Sequence, residues 1–499
     1  MNEQKTFVEN SKISQSSKQK NTKCLLLNPP FSLEKRYGKS IAKIGTILMP
    51  LGMGYVAAMI ERDGYPIKVL DCQAENLDKE QIVKFCADEK FDAIGIYCNT
   101  SNFASSKELA KDIKKLLPEV KFIFGGPQAF NDKVGTLDND IVDYMIYGEA
   151  EETFVELLDA IEYKWGDERK AKVLGMGYKD SDEKIVINQT REFLKDLDNL
   201  PFPARHLFKL ELYRPSPNQY KILPYFNMMA SRGCPYTCTF CNIVSMYDRK
   251  YRIRSPDNVI AEMKYLKEKY GAMDIGFWDD IFGLSKKWLH EFCTKLIDSK
   301  LDIVWDCLLR VDLVDLETLQ LMKKAGCWMI FYGCETLDDD ILKAIDKKTT
   351  SVQNIRAIEL TKKAGIEVRA NMMVGCPGES PEKLKKVLKL LCKANPDYVK
   401  FNIMTPYPGT QIYEQIKQGM WGTMIDDMEK FTHYNATFLP YGYKDLKEVE
   451  KMRRYAFTKF YFRPNYIIPK LFSMKSMTDI RRYYKGFEAV KDLALRRIK

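Results

Sequence analysis

The chain has 499 residues, of which 45% are hydrophobic and 29% charged, so it is too long for one ordinary domain and too apolar to be disordered. Its net charge is +10, and the stretch from Lys451 to Lys499 holds fourteen Lys or Arg against three acids. The basic character therefore belongs to the C-terminal tail, and a chain-wide basic surface for nucleic acid is excluded.

Residues 1–22 are polar, with Lys5, Lys12, Lys18 and Lys20 but no apolar core behind them. This predicts a flexible leader and not a signal peptide. No apolar run reaches the roughly eighteen residues of a membrane span. The thirteen cysteines are odd in number and lie mostly in apolar stretches, which predicts a reducing, cytoplasmic setting.

From residue 23 the texture becomes that of an α/β domain. Cys24 to Asn28 is a buried strand stopped by Pro29-Pro30, and Leu51 to Arg62 a helix closed by Gly64. Ile67–Leu70, Ala93–Tyr97 and Lys121–Phe124 are further strands, with helical stretches between them. This alternation predicts a doubly wound parallel sheet over residues 23–160. Residues 161–220 are expected to be a linker with a small strand pair and the Pro-rich run Leu200-Pro201-Phe202-Pro203.

A second series occupies residues 221–410. Its expected strands are Phe226–Ala230, Asp274–Trp278, Ile303–Leu308, Trp328–Tyr332, Glu367–Met373 and Tyr398–Ile403. Six such units fit an open, partial barrel better than a closed one of eight. Residues 411–499 are expected to be a mostly helical extension rich in aromatic and basic residues.

The chemistry is concentrated after the first barrel strand. Ser231-Arg232-Gly233-Cys234-Pro235-Tyr236-Thr237-Cys238-Thr239-Phe240-Cys241 sets three thiols at C-x3-C-x2-C. Thiolates on a strand-to-helix turn suit a soft metal or an iron–sulfur cluster. Three ligands leave one iron of a four-iron cluster open to exchange, whereas zinc would need a fourth ligand.

This motif, with aromatic Phe240 before the last cysteine, resembles that of the radical S-adenosylmethionine (SAM) enzymes. The resemblance implies a 4Fe-4S cluster on Cys234, Cys238 and Cys241, and SAM chelated to its open iron. It also gives roles to the ends of the barrel strands. Asp279 in Phe277-Trp278-Asp279-Asp280, Arg310 toward the SAM carboxylate and Glu335 in Gly333-Cys334-Glu335 toward the ribose would bind SAM, with Phe240 beside them. Gly375-Cys376-Pro377-Gly378-Glu379 and Pro406-Tyr407-Pro408-Gly409-Thr410 follow the last two strands. Arg310 and Glu335 are expected to lie away from the cysteine loop.

In the N-terminal unit, Pro50-Leu51-Gly52-Met53-Gly54-Tyr55, Gly125-Gly126-Pro127 and Gly148-Glu149-Ala150-Glu151 resemble the cobalamin-binding domain found ahead of many radical SAM cores. The resemblance implies that Gly125, Gly126, Pro127 and Gln128 meet a corrinoid. The histidines are His206, His290 and His433, so none in this unit can ligate cobalt. The likeness extends to the branch that includes anaerobic porphyrin cyclase and hopanoid methylase. It implies a methyltransferase acting on an unactivated carbon of a hydrophobic or lipid-like substrate. The alternative is oxidative cyclisation or carbon–carbon coupling without methyl transfer. A flavodoxin- or ferredoxin-type electron donor is expected, with no nucleic-acid partner. The tail, through Arg453, Arg454, Arg481, Arg482 and its aromatic residues, is expected to hold the protein at the inner face of the membrane.

Overall fold

The computed structural model describes residues 20–31 and 45–472, with Tyr484 and Gly486 beyond them. In the N-terminal domain the strands β1 (Cys24–Asn28), β2 (Ile67–Asp71), β3 (Ala93–Tyr97), β4 (Lys121–Gly125) and β5 (Tyr144–Ile146) are parallel. Then β6 (Met176–Lys179) and β7 (Ile185–Ile187) add antiparallel at one edge, giving the order β2-β1-β3-β4-β5-β6-β7. The helices leave two apolar layers, one on each face of this sheet. Strands buried on both faces need continuous apolar runs, and Cys24-Leu25-Leu26-Leu27 is one.

The sheet therefore does not end at Ala160: the strand pair expected in the linker is its antiparallel edge. The rest of the stretch is packed as well. Arg205 is 1% exposed and bonds the Asn227 carbonyl at 2.7 Å and Glu262 at 3.2 Å. Buried Glu262 also takes Arg254 at 2.6 Å.

The second domain begins at β8 (Tyr225–Met228). A short antiparallel pair follows, β9 (Ser231–Arg232) with β10 (Arg252–Ile253). The strands β11 (Asp274–Phe277), β12 (Val304–Leu309), β13 (Cys327–Glu335), β14 (Glu367–Val374) and β15 (Tyr398–Ile403) complete a six-stranded parallel sheet in the order β15-β14-β13-β12-β11-β8. Its connecting helices carry clear local signals. The helix Pro256–Tyr270 starts with Ser255 capping the Asn258 amide and Pro at its first position, and ends at left-handed Gly271. Outward residues such as Ile275, Trp305, Cys307, Ile330, Val368 and Phe401 join these helices in the largest core. The alternate residues face the concave side.

The C-terminal region adds the strand pair β16 (Gly422–Met424) and β17 (Phe438–Pro440) and the helices Leu446–Tyr461 and Pro464–Phe472. Here the role expected of Arg453 is corrected. Arg453 is 7% exposed and donates to the carbonyls of Phe401 at 2.9 Å and Tyr434 at 3.3 Å. Phe457 and Phe460 belong to the barrel core, and Arg463 bonds the Cys392 carbonyl at 2.7 Å. These side chains close the open edge of the sheet beside β15. Arg481 and Arg482 lie outside the described residues. No helix among the described residues is long and apolar enough to cross a membrane.

Candidate active site

The cysteine loop leaves the carboxyl end of β8 and returns through β10. Gly233 has φ +82°, and a Cβ there would stand 2.0 Å from the Lys250 carbonyl oxygen, so only glycine fits the turn. Two carboxylates from the end of β11 hold the segment. Asp279 accepts from the Ala230 amide at 3.0 Å and the Ser231 hydroxyl at 2.5 Å, and Asp280 from the Gly233 amide at 2.9 Å. Burial pushes the Asp279 pKa up to about 7. Asp279, expected on SAM, is thus engaged with the root of the cysteine loop. Further along, Thr237 bonds Asp346 at 2.5 Å and the Thr239 amide bonds the Ile345 carbonyl at 3.1 Å.

Arg310 and Glu335 sit at strand ends, as expected, but against the cysteine loop and not away from it. The Arg310 guanidinium lies 3.5 Å over the ring of Tyr236, inside the cysteine motif, and is held by Asp312 at 3.0 Å and the Lys347 carbonyl at 3.1 Å. Glu335 has φ +60°, where the β13–β14 register shifts. The bulge turns its carboxylate to Lys347, 2.8 Å away. Its second oxygen takes no partner among the described residues. Lys347 also stands 5.8 Å from the Phe240 ring. Burial works against the Lys347 ammonium, but Glu335 and Cys238 beside it more than offset this and raise its pKa. Nothing in Asp346-Lys347-Lys348 marks Lys347 in the sequence, because its role comes from folding back onto β13.

The donor set fits an iron–sulfur cluster. Cys234, Cys238 and Cys241 are free thiols that sense one another electrostatically. Three thiols on one loop suit such a cluster, whereas zinc would need a fourth ligand.

The N-terminal sheet turns its carboxyl edge to this mouth. Gly126 has φ +101°, and a Cβ there would lie 2.7 Å from the Cys98 carbonyl oxygen. A Cβ on Gly125 would meet nothing nearer than 3.7 Å, and one on Gly148 nothing within 4 Å. Open space above glycine backbone at the sheet's carboxyl edge suits a flat ring. Pro127 opens the short helix Pro127–Asn131, and Gln128 is buried with its amide on the Cys98 carbonyl at 3.2 Å. That helix reaches the barrel: the side chain of Asn131 packs against Gly409. The domains are locked by charge. Arg232 pairs with Glu149 at 2.9 Å and Glu151 at 2.6 Å, and Arg252 with Glu149 at 2.7 Å.

Comparison with known proteins agrees with this geometry. Residues 39–158 match the B12 binding domain family and residues 228–409 the Radical SAM superfamily. An uncharacterized methyltransferase of Pyrococcus horikoshii is 31% identical over 471 residues, covering 93% of this chain and 97% of the relative. The anaerobic magnesium-protoporphyrin IX monomethyl ester cyclase of Rubrivivax gelatinosus is 27% identical, covering 82% of this chain and 73% of the relative. The hopanoid C-3 methylase of Methylococcus capsulatus is 27% identical, covering 74% and 69%. The radical SAM methyltransferase TsrM of Kitasatospora setae, solved with cobalamin and a [4Fe-4S] cluster, shares the fold. Its TM-score is 0.68 at 14% identity, over 95% of this chain and 100% of that one. The chain belongs to the radical SAM enzymes that carry an N-terminal B12-binding domain. Membership brings a 4Fe-4S cluster, SAM and cobalamin as its cofactors.

Proposed function

We propose that this enzyme is a cobalamin-dependent methyltransferase that acts on an unactivated carbon of a substrate with a hydrophobic body. The observation that carries the proposal is the lock between Arg232 and the pair Glu149 and Glu151. It holds the corrinoid-facing edge of one domain against the root of the cysteine loop of the other. Methyl transfer to a carbon radical needs both cofactors at one substrate atom, and a rigid junction provides this. The name of the Pyrococcus relative, which this chain matches nearly end to end, supports the same class.

When bound, the cluster and SAM supply a carbon-centred radical and cobalamin a methyl group. Cys234, Cys238 and Cys241 would hold three irons. Glu335 would accept from the ribose hydroxyls with the oxygen that Lys347 leaves free, and Arg310 would meet the SAM carboxylate. Gly125 and Gly126 would admit the corrin ring, and Asp279 and Asp280 keep the loop in place. The reducing electron would come from a flavodoxin- or ferredoxin-type donor. Contact with a membrane would rest on Ile468 and Phe472, 52% and 84% exposed, and not on Arg453.

The test is the triple variant in which Cys234, Cys238 and Cys241 become Ala, assayed anoxically with reductant and SAM. It should bind no cluster and form no 5′-deoxyadenosine. Undiminished SAM cleavage would overturn the assignment.

A further inference from the structure

Among the described residues, the buried charged side chains each make at least one hydrogen bond or ion pair, with two exceptions. Glu262 takes two arginines, Arg232 two glutamates, Lys347 takes Glu335, and Arg453 two carbonyls. Asp306 and Arg369 are the exceptions. Asp306 is 0% exposed, and neither of its oxygens has a hydrogen-bond partner. Arg369 is 6% exposed and its Nε is unpartnered. Its guanidinium stacks on the Phe331 ring at 3.8 Å.

These two side chains share the concave face. Trp305 and Cys307 beside Asp306, and Val368 and Ala370 beside Arg369, point into the helix-side core, so alternation sends the charged pair the other way. Asp306 is in register with Met329 and Arg369 with Phe331, two residues further along β13. One strand and one pleat therefore separate them. Burial is the largest influence on both, pushing the Asp306 carboxyl up and the Arg369 guanidinium down; the Asp274 carboxylate adds to the first, and each of the two offsets the other's burial in part. They interact without touching, which is the costly arrangement for buried charges unless a third group lies between them.

The same face continues toward the mouth. Asn371, in register with Gly333, and Asn402, in register with Met373, each leave an amide oxygen buried and unpartnered. They mark a line of acceptors from the pair toward Glu335.

We propose that Asp306 and Arg369 form a split ion pair at the floor of the barrel, completed by a substrate head group that presents a hydrogen-bond donor beside an acceptor. A zwitterion or a primary amide has this pattern. The donor faces Asp306 and the acceptor faces Arg369, while Asn371 and Asn402 accept from further donors nearer the reacting carbon. The substrate is then an amphiphile that enters head first. This rests on reading the barrel as the substrate chamber of a radical SAM enzyme, but its test needs neither SAM cleavage nor turnover.

The full-length, cluster-reconstituted protein is melted as wild type, Asp306→Leu, Arg369→Met and the double variant. Each is run alone, with glycine as a zwitterionic probe and with acetamide as a neutral one. Each single variant should melt no lower than the wild type, because each removes a buried polar group that has no direct partner. One of the probes should raise the wild-type midpoint by more than that of the double variant, and which probe does so tells a charged head group from a neutral one. The proposal is overturned if either single variant melts several degrees lower or fails to fold, since the two groups then support each other within the protein. It is equally overturned if neither probe separates the wild type from the double variant.

Discussion

Arg232 reaches across the domain junction with Nη2 2.6 Å from Glu151, which opens the helix Glu151–Glu162. Two residues further along the chain is Cys234. A buried cation thus ties the Gly148-Glu149-Ala150-Glu151 turn of the B12-binding domain to the root of the cysteine loop.

Breaking this tie by Arg232→Met leaves Glu151 buried without its cation, while Glu149 keeps Arg252. The loss should be about 3–5 kcal/mol, read from denaturant unfolding of the full chain. Arg232→Lys should recover only part, since an ammonium cannot serve two carboxylates with a planar fork. A Met variant as stable as the wild type would show that the junction is held by other contacts.

Gly125 and Gly126 should separate by mechanism. Gly126→Ala forces a side chain into φ +101° and against the Cys98 carbonyl, which should destabilise the fold by about 1–3 kcal/mol. Gly125→Leu meets no such obstacle at its Cβ. It should keep the melting temperature while losing the corrinoid spectrum of protein purified after growth with cobalamin. Equal corrinoid content in Gly125→Leu and wild type would move the ring away from this edge.

Arg310 and Glu335 should also part. Glu335→Ala removes the acceptor proposed for SAM and should weaken its equilibrium binding by about 1–3 kcal/mol, with iron content unchanged. Arg310→Ala removes the Tyr236 stack as well, so iron content should fall together with SAM affinity. Wild-type SAM binding in both variants would refute the proposed site.

Much of this was legible in the sequence. The barrel strands were found to within three residues at each end, the widest miss being the end of β13 at Glu335 and not Tyr332, because parallel strands buried on both faces make apolar runs between strong caps. The three cysteines announce themselves by spacing. The edge strands β6 and β7 were not assigned to the first sheet, because antiparallel pairing with β5 depends on register between distant segments. Lys347 and the Arg232 junction were missed for the same reason, as was the contact of Arg310 with Tyr236. The tail misled in its described part: Arg453, Phe457 and Phe460 carry the composition of a membrane surface but form the seal of an open barrel edge.

Glu379 supplies a test in pH. It accepts from the Gly375 amide at 2.7 Å and the Tyr443 hydroxyl at 2.5 Å, and burial pushes its pKa up from 4.5 to about 7. The folded state therefore keeps a proton that the unfolded chain releases. The stability from that proton is fully present below the unfolded pKa and is lost as pH rises through about 7. Glu379→Gln is neutral throughout, so its stability relative to the wild type should rise by about 3 kcal/mol across that window. Unfolding curves that stay parallel in pH would contradict the burial of an ionisable Glu379.

The central claim is methyl transfer, and the most direct measurement follows the label. The reconstituted, cobalamin-loaded protein is incubated anoxically with reductant, a small-molecule extract of cells lacking it, and SAM carrying a trideuterated methyl group. Products are read by untargeted mass spectrometry. A compound that appears only with the protein and has exchanged one hydrogen for the labelled methyl, in step with 5′-deoxyadenosine and S-adenosylhomocysteine, is the predicted result. 5′-Deoxyadenosine formed together with a product that has lost hydrogen or joined two carbons, with no label incorporated, would contradict it and place the enzyme among the cyclising or coupling radical SAM enzymes.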